Sequence, residues 1–232
     1  MSEGQIILIN KPYDWTSFDV VKYIRKAIPP LSFGEGSGVR PKVGHAGTLD
    51  PLATGLLVLC TGAMTKKITE IQDSEKEYTG SFTLGGTTAS YDMETEVSEE
   101  KDISHITKEL IHQTTQQFAG EVFQTPPSHS AAKVKGRRAY AMARNGEAVE
   151  LTPKKITIRK FEITEIKLPK IFFRIVCSKG TYIRSIANDF GKALGCGAYL
   201  SSLCRVRIGN FHISNSVAPK DFTVGSKVQA AS

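Results

Sequence analysis

Cysteine is scarce in this chain, and its spacing excludes the usual cysteine chemistry. Only four cysteines occur in 232 residues, with no C-x-x-C pair and no paired histidines nearby. Zinc sites and redox-active dithiols depend on such spacing. The sequence therefore predicts neither a zinc site nor a redox pair. We expect the four residues to be small core side chains in a reducing compartment; they are Cys60, Cys177, Cys196 and Cys204.

Long apolar runs are also lacking. No stretch approaches the roughly 20 residues that a membrane-spanning helix needs, and the apolar residues near the N-terminus are too few and wrongly flanked for a signal peptide. Thirty Lys and Arg residues oppose 23 Asp and Glu residues, giving a net charge of +7. This excess favours a polyanionic partner, although solubility alone would also explain it. We expect a cytoplasmic protein that binds no membrane.

The pattern of strands and helices is irregular, which indicates the fold class. Predicted strands cover residues 5–10, 56–61, 78–84, 154–166 and 171–177. Predicted helices cover residues 17–28, capped by Thr16 or Ser17, and 65–71, 104–118, capped by Ser104, and 181–194. Without regular βαβ alternation, this order predicts an α+β domain around a mixed, mostly antiparallel central sheet flanked by helices and loops. The glycine-rich segment Ser32–Arg40 is expected to be a mobile loop, and the acidic segment Asp92–Asp102 a solvated one.

The most informative segment runs from Val43 to Leu59. It places Asp50 among glycines, hydroxyls and His45, directly before an apolar run typical of a buried strand. Glycine allows close backbone approach and Pro51 fixes φ, so the carboxylate can be held rigidly against a ligand. An ordinary Asp-Pro turn is the alternative, and the dipeptide alone favours it.

Two further segments could carry chemistry. Tyr78 begins a predicted strand and, taken alone, is an ordinary strand aromatic. Arg184 lies in the first turn of a predicted helix, where the helix dipole disfavours a cation. It is therefore expected to have an anionic partner inside or outside the protein, with a surface salt bridge as the alternative.

Several segments together carry a resemblance to a known family. Residues 44–55, 76–78 and 180–184 are similar, in the same order, to motifs of the TruB family of tRNA pseudouridine synthases. Lys11-Pro12, Thr16-Ser17 and the segment 203–209 extend the similarity to about residues 5–213. The resemblance implies the pseudouridine synthase fold, with residues 1–213 as the catalytic domain and residues 214–232 as a short tail. It further implies conversion of the uridine at position 55, in the T-loop of transfer RNA, to pseudouridine.

The resemblance also implies a role for individual residues. Asp50 would be the catalytic residue, either attacking the ribose or starting a glycal route through C2′. Arg184 would pair with Asp50 and favour its ionised form, because a nearby opposite charge lowers a carboxylate pKa by roughly 1–3 units. Tyr78 would stack on the flipped base, and His45 would fill the gap or contact a phosphate. Lys133, Arg138 and Arg144 would contact the RNA, and Lys11 would be structural more than catalytic.

This chemistry needs no metal, redox cofactor or nucleotide, so no cofactor is expected. The expected partner is the T-arm stem-loop of tRNA, bound by a monomer. His129, Thr95, Cys204 and Asn210 depart from the family pattern, and the RNA-binding PUA domain found in many relatives is expected to be missing or vestigial. Two alternatives remain open: a non-catalytic RNA-binding module or chaperone, and an enzyme acting on another stem-loop RNA.

Overall fold

The computed structural model describes residues 4–30, 41–130, 133–134, 136–145, 147 and 151–223. The loop expected at Ser32–Arg40 lies outside these residues. The strands, in chain order, are β1 (Ile6–Lys11), β2 (Val43–His45), β3 (Thr54–Thr61), β4 (Lys76–Leu84), β5 (Gly86–Thr88), β6 (Val97–Glu100), β7 (Gly120–Gln124), β8 (Lys133–Val134), β9 (Arg137–Arg138), β10 (Lys154–Lys167), β11 (Lys170–Cys177), β12 (Ala198–Ile208) and β13 (Phe211–His212). The α-helices are α1 (Ser17–Ala27), α2 (Ile68–Asp73), α3 (Lys108–Gln116), α4 (Ala139–Arg144) and α5 (Ile183–Ala193), and 3₁₀ helices cover Gly62–Lys67, Ile213–Asn215 and Pro219–Asp221.

The chain divides into two compact units. The first unit contains residues 1–78 and 204–232, and the second contains residues 79–203. The boundaries fall inside β4 and β12, so each of these strands contributes residues to both units.

The first unit is built on the apolar strand β3. This strand pairs antiparallel with β1 and β2 and parallel with β12. Side chains of a strand alternate between its faces, and here both faces are buried. Leu56, Val58 and Cys60 pack on one face with residues that include Ile71 and Ile208, whereas Leu57 and Leu59 pack on the other face against β1 and α1.

Helix α1 begins where the sequence predicts. Thr16 is its N-cap: its Oγ1 accepts a hydrogen bond from Asp19 N at 3.0 Å, and the Asp19 carboxylate accepts one from Thr16 N. This reciprocal capping box satisfies two of the otherwise unpaired amides of the first turn. Val20, Val21 and Ile24 form the buried face of the helix.

The segment after β13 belongs to the first unit and pairs with β1. Asn10 N donates to Val217 O at 2.9 Å, and Val217 N donates to Leu8 O at 3.1 Å. Phe222 packs against the same core cluster as α1. The described part of the predicted tail is thus an integral part of this unit.

The second unit contains the sheet order β12-β4-β11-β10-β7, in which β10 pairs antiparallel with both β11 and β7. Its core is aromatic. The ring of Phe82 lies 4.4 Å from that of Phe173 and 6.0 Å from that of Phe190 on α5, centroid to centroid. Contacts of this kind fix α5 against the sheet.

The predicted α+β class with a mixed sheet is confirmed, because parallel and antiparallel pairs occur together. Two local predictions are wrong. Helix α3 begins at Lys108 with Thr107 as its cap. Ser104 does not cap it, because its backbone N and its hydroxyl both donate hydrogen bonds to the Asp102 carboxylate. The acidic segment is also not simply a solvated loop, since Val97–Glu100 forms strand β6 and Asp92 is buried.

No helix among the described residues is long and apolar enough to cross a membrane.

Candidate active site

The Asp50 loop (residues 46–53) joins β2 to β3. Ala46 N donates to Val58 O at 2.8 Å, so the loop starts against β3, and Ala53 N donates to Asp50 O at 3.1 Å in a tight turn. Gly55, just after the loop, has a φ of +103°, and a Cβ there would lie 2.4 Å from the Arg205 carbonyl oxygen. Only glycine fits this close approach. Asp50 itself is partly buried.

Two buried side chains hold the loop on either side of Asp50. Ser17 Oγ accepts a hydrogen bond from Leu49 N at 2.9 Å and donates to Leu49 O at 3.1 Å. Lys11 is fully buried, and its Nζ donates to Pro51 O at 3.1 Å and to Pro12 O at 3.0 Å, as well as to the Trp15 carbonyl. The backbone on both sides of the carboxylate is thereby tied to β1 and to the start of α1.

Arg205 on β12 is the third holder of the loop. Its side chain is buried, with 1% of the residue exposed. Nε donates to Leu56 O at 2.9 Å, Nη2 to Gly47 O at 2.9 Å and Nη1 to Thr48 O at 3.4 Å. The planar guanidinium supplies several donors in a fixed geometry, which suits it to hold three carbonyls at once. The loop conformation is therefore set by contacts distant in sequence.

These buried cations shape the electrostatics around Asp50. Burial lowers the pKa of Lys11 to about 8; the Asp50 carboxylate opposes this change, and the charge of Arg205 adds to it. Because an interaction between two charges is mutual, the Lys11 ammonium favours the ionised form of Asp50. An ionised carboxylate on a rigid loop can act as a nucleophile or as a base.

His45 ends β2, immediately before the Asp50 loop. Burial lowers its pKa, the charge of Arg205 lowers it further, and a hydrogen bond with the Gly47 backbone acts in the opposite direction. Its Nδ1 is buried and has no hydrogen-bond partner among the described residues. The imidazole is therefore mainly neutral at pH 7.

Tyr78 lies on β4 and is 8% exposed. The start of this strand is fixed by Arg207 of β12, whose Nη2 lies 2.6 Å from Glu75 Oε1 and whose Nε lies 3.1 Å from Glu77 Oε2. These ion pairs are partly buried, and carboxylates on adjacent sides of one guanidinium give it a defined orientation. Tyr78 is therefore held next to a fixed strand end.

Arg184 lies in the first turn of α5, in the second unit, and is almost fully buried. Its Nε is 3.5 Å from Asp92 Oδ2, and its Nη1 donates to His129 O at 3.0 Å and to Ser90 O at 3.3 Å. The anionic partner expected from the sequence is thus present inside the protein. Asp92, predicted to be in a solvated loop, is 5% exposed because it pairs with this arginine.

The segment that precedes the predicted RNA-contact residues is anchored on α5. The Gln124 side chain accepts from Tyr182 N at 2.7 Å and donates to Tyr182 O at 3.0 Å, and Ser185 Oγ donates to Thr125 O at 2.8 Å. Beyond this segment, β8 and β9 pair antiparallel with Lys133 opposite Arg138. Arg144 ends α4. The side chains of Lys133, Arg138 and Arg144 lie outside what the structure describes.

The predicted site residues divide between the two units. Lys11, His45, Asp50 and Tyr78 belong to the first unit, where Lys11 and Asp50 interact. Arg184 and the three predicted RNA-contact residues belong to the second. Among the described residues, no group of three or more histidine, cysteine, aspartate or glutamate side chains is placed to hold a metal ion.

Sequence reasoning missed five positioning residues. Ser17 and Arg205 hold the Asp50 loop, Asp92 pairs with Arg184, Gln124 anchors α5, and Arg207 fixes β4. A signal was available for Arg205 and Arg207, since both lie in the segment 203–209 that resembles the family. The identity of their partners depends on long-range pairing that the sequence does not reveal.

Comparison with known proteins identifies relatives over most of the chain. The model of the TruB family pseudouridylate synthase N-terminal domain matches residues 37–183. A tRNA pseudouridine synthase B of Flavobacterium johnsoniae is 53% identical over 220 residues, covering 93% of both chains. A protein of the same name from Bacteroides fragilis is 47% identical over 220 residues, covering 95% of this chain and 93% of its own.

Solved structures share the fold over nearly the whole chain. A chain in the crystal structure of a Cbf5-Nop10-Gar1 complex is 27% identical with a TM-score of 0.68, covering 95% of this chain and 52% of its own. A chain in a structure of an H/ACA RNP bound to a substrate RNA containing 2'-deoxyuridine is 25% identical with a TM-score of 0.65, covering 94% of this chain and 51% of its own. This chain thus spans about half the length of these solved chains.

Proposed function

Because the chain belongs to the TruB family of pseudouridylate synthases, we propose that it isomerises the uridine at position 55, in the T-loop of transfer RNA, to pseudouridine. The observation that carries the proposal is the hold on Asp50. Ser17, Lys11 and Arg205 fix the backbone around this carboxylate, and the Lys11 ammonium interacts with it electrostatically. A reaction that attacks or deprotonates the ribose needs a carboxylate held in this way.

The reaction balances without any co-reactant. The C1′–N1 bond breaks, the freed base turns, C1′ bonds to C5, and the proton that leaves C5 is replaced by one at N1. Asp50 either attacks C1′ or removes the C2′ proton to start a glycal route. Arg184, held by Asp92 and the His129 carbonyl, would orient the carboxylate.

Base flipping assigns roles to His45 and Tyr78. Extracting a stacked base costs a few kcal/mol, which new contacts must offset. The lowered pKa of His45 favours the neutral imidazole. We therefore assign His45 to filling the space that the flipped base leaves, and not to a charged contact with a phosphate. From the family resemblance, Tyr78 is assigned to stacking on the flipped uracil, and Arg207 fixes the start of its strand.

The remaining assignments concern the rest of the RNA and the protein's organisation. Lys133, Arg138 and Arg144 would contact phosphates of the T-arm, which set register, while the shape of the loop supplies specificity. We assign residues 1–213 to the catalytic domain and residues 214–232 to the tail, whose described part pairs with β1. We place the enzyme in the cytoplasm as a monomer.

Asp50→Asn tests the proposal. Unmodified tRNA is incubated with wild type, Asp50→Asn and the matched control Asp221→Asn, whose carboxylate is exposed, and pseudouridine is mapped chemically. We expect product at the T-loop uridine with wild type and control, and a loss of roughly 10³-fold or more with Asp50→Asn. Retained RNA binding by Asp50→Asn is also expected.

Three outcomes would overturn parts of the proposal. If wild type makes no product on tRNA, the proposed substrate is wrong. Product at another uridine, or from a non-tRNA stem-loop alone, favours the alternative substrate. If cells that carry Asp50→Asn in place of the wild-type protein show no loss of function, the protein acts as an RNA-binding module and not as an enzyme.

A further inference from the structure

A positively charged groove lies in the first unit, away from Asp50. It has a volume of about 670 Å³ and lies between the last turn of α1 and the chain entering β2. Arg25, Lys26 and Lys42 contribute three cationic side chains, and Pro41 and Val43 complete the described lining. No acidic residue is among these five. The groove therefore presents a concentrated positive charge in a concave surface.

The helix dipole explains only part of this arrangement. Cations in the last turn of a helix are favourable by about 0.3–1 kcal/mol, and this accounts for Arg25 and Lys26 on α1. Lys42 lies on a different segment, where no helix end attracts it. Lys42 nevertheless lines the same concave surface as Arg25 and Lys26. Cations from separate segments that meet in one cleft are typical of anion recognition.

Both walls of the groove are connected to the Asp50 loop. On the α1 side, Ser17 bonds Leu49, and Asp14 N donates to Pro51 O at 3.0 Å. From Ser17 to Lys26 the helix spans roughly 14 Å. On the β2 side, Lys42 lies three positions before His45, which is roughly 10 Å of extended chain. A ligand in the groove would thus be held at a defined distance from Asp50.

The helix surface between the loop and the groove also suits a nucleic acid. Phe18 is 66% exposed, and Lys22, four residues later, is exposed on the same side of the helix. Arg25 follows at helical spacing. Proteins that bind nucleic-acid strands stack bases on aromatic rings and pair phosphates with cations, and this surface offers one exposed ring followed by cations.

We propose that this groove binds the phosphodiester backbone of the RNA substrate, outside the loop that carries the target uridine. The inference rests on the proposed function, because it takes the polyanion to be the RNA that Asp50 modifies. At about 670 Å³, the groove exceeds the size of a single phosphate. Lys26 and Lys42 would pair with phosphates of the strand, fixing the register of the RNA relative to Asp50.

The test replaces two of the three cations. Binding of full-length tRNA is measured as a function of salt for Lys26→Gln/Lys42→Gln in the Asp50→Asn background, which leaves the RNA unreacted. The matched control is Lys167→Gln/Lys170→Gln, which removes the same charge from exposed positions in the second unit. Unfolding midpoints in urea confirm that each variant is folded.

The groove variant is expected to lower the slope of log Kd against log salt by roughly 1.4–1.8, since each lost phosphate contact contributes about 0.7–0.9. The control is expected to keep the wild-type slope. If the groove variant and the control give the same slope, the groove does not bind RNA and the proposal is overturned. Failure of the proposed function is read separately, as absence of pseudouridine in wild-type reactions, and leaves the comparison of slopes intact.

Discussion

The buried Lys11 makes the stability of the protein depend on pH in a specific window. The residue is fully buried, and its pKa falls from 10.5 to about 8, chiefly through burial. Between these two values the unfolded chain binds more protons than the folded one, so the free energy of unfolding rises with pH. Below pH 8 both states are protonated, and the cost of the buried charge is constant.

The expected size follows from the two pKa values. A fall from 10.5 to about 8 corresponds to about 3 kcal/mol, and about 2 kcal/mol of this is recovered between pH 7 and pH 9.5. Such a change is large beside the 5–15 kcal/mol typical of a whole domain.

Urea unfolding at pH 7 and pH 9.5 measures this effect, with Lys11→Met as the comparison. The variant has no ammonium to titrate, so its gain with pH should be smaller than that of wild type by about 2 kcal/mol. The exposed Lys22→Met is the control and should behave as wild type. Burial raises the pKa of Cys60 to about 11, which acts in the opposite direction above pH 9 but equally in all three proteins. Equal pH dependence in wild type and Lys11→Met would refute the reasoning.

Two further substitutions address the residues that hold the site. Ser17→Ala leaves the buried amide and carbonyl of Leu49 without their partner. We therefore expect the free energy of unfolding, measured in urea, to fall by about 1–3 kcal/mol, and turnover on tRNA to become slower. Unchanged turnover would show that Ser17 does not position Asp50. Asp92→Asn removes the carboxylate that faces Arg184, and we expect a loss of about 3–5 kcal/mol. Its turnover should fall at every pH from 6 to 9, and wild-type turnover in a folded Asp92→Asn protein would contradict the pairing.

Local sequence signals predicted the elements whose structure is set locally. The continuous apolar run of β3 and the start of α1, with a cap at Thr16 or Ser17, were both predicted. Strand β12 was not predicted, because serines, a cysteine and arginines interrupt its pattern and its pairing with β3 is nonlocal. The start of α3 was missed because a local turn at Asp102 competes with helix capping.

The same distinction applies to the candidate site. Asp50 and His45 stand out in a compact motif, and the structure places Lys11 within electrostatic reach of Asp50. The partner of Arg184 was expected but could not be named, since Asp92 precedes it by about 90 residues. Roles in catalysis remain predictions for Asp50, Tyr78 and Arg184.

The hydrogen bonds from Arg205 to Gly47 and Leu56 join segments that are 158 and 149 residues apart. During synthesis the Asp50 loop is therefore made long before Arg205, the last of the residues that hold it. At 5–20 residues per second, ribosomes need roughly 8–30 s to reach Arg205 after the loop is made. A nascent chain in that interval carries the Asp50 loop without the hydrogen bonds from Arg205. The hold of β12 on the Asp50 loop is thus acquired only after Arg205 has been made, so a chain that stops before β12 lacks it.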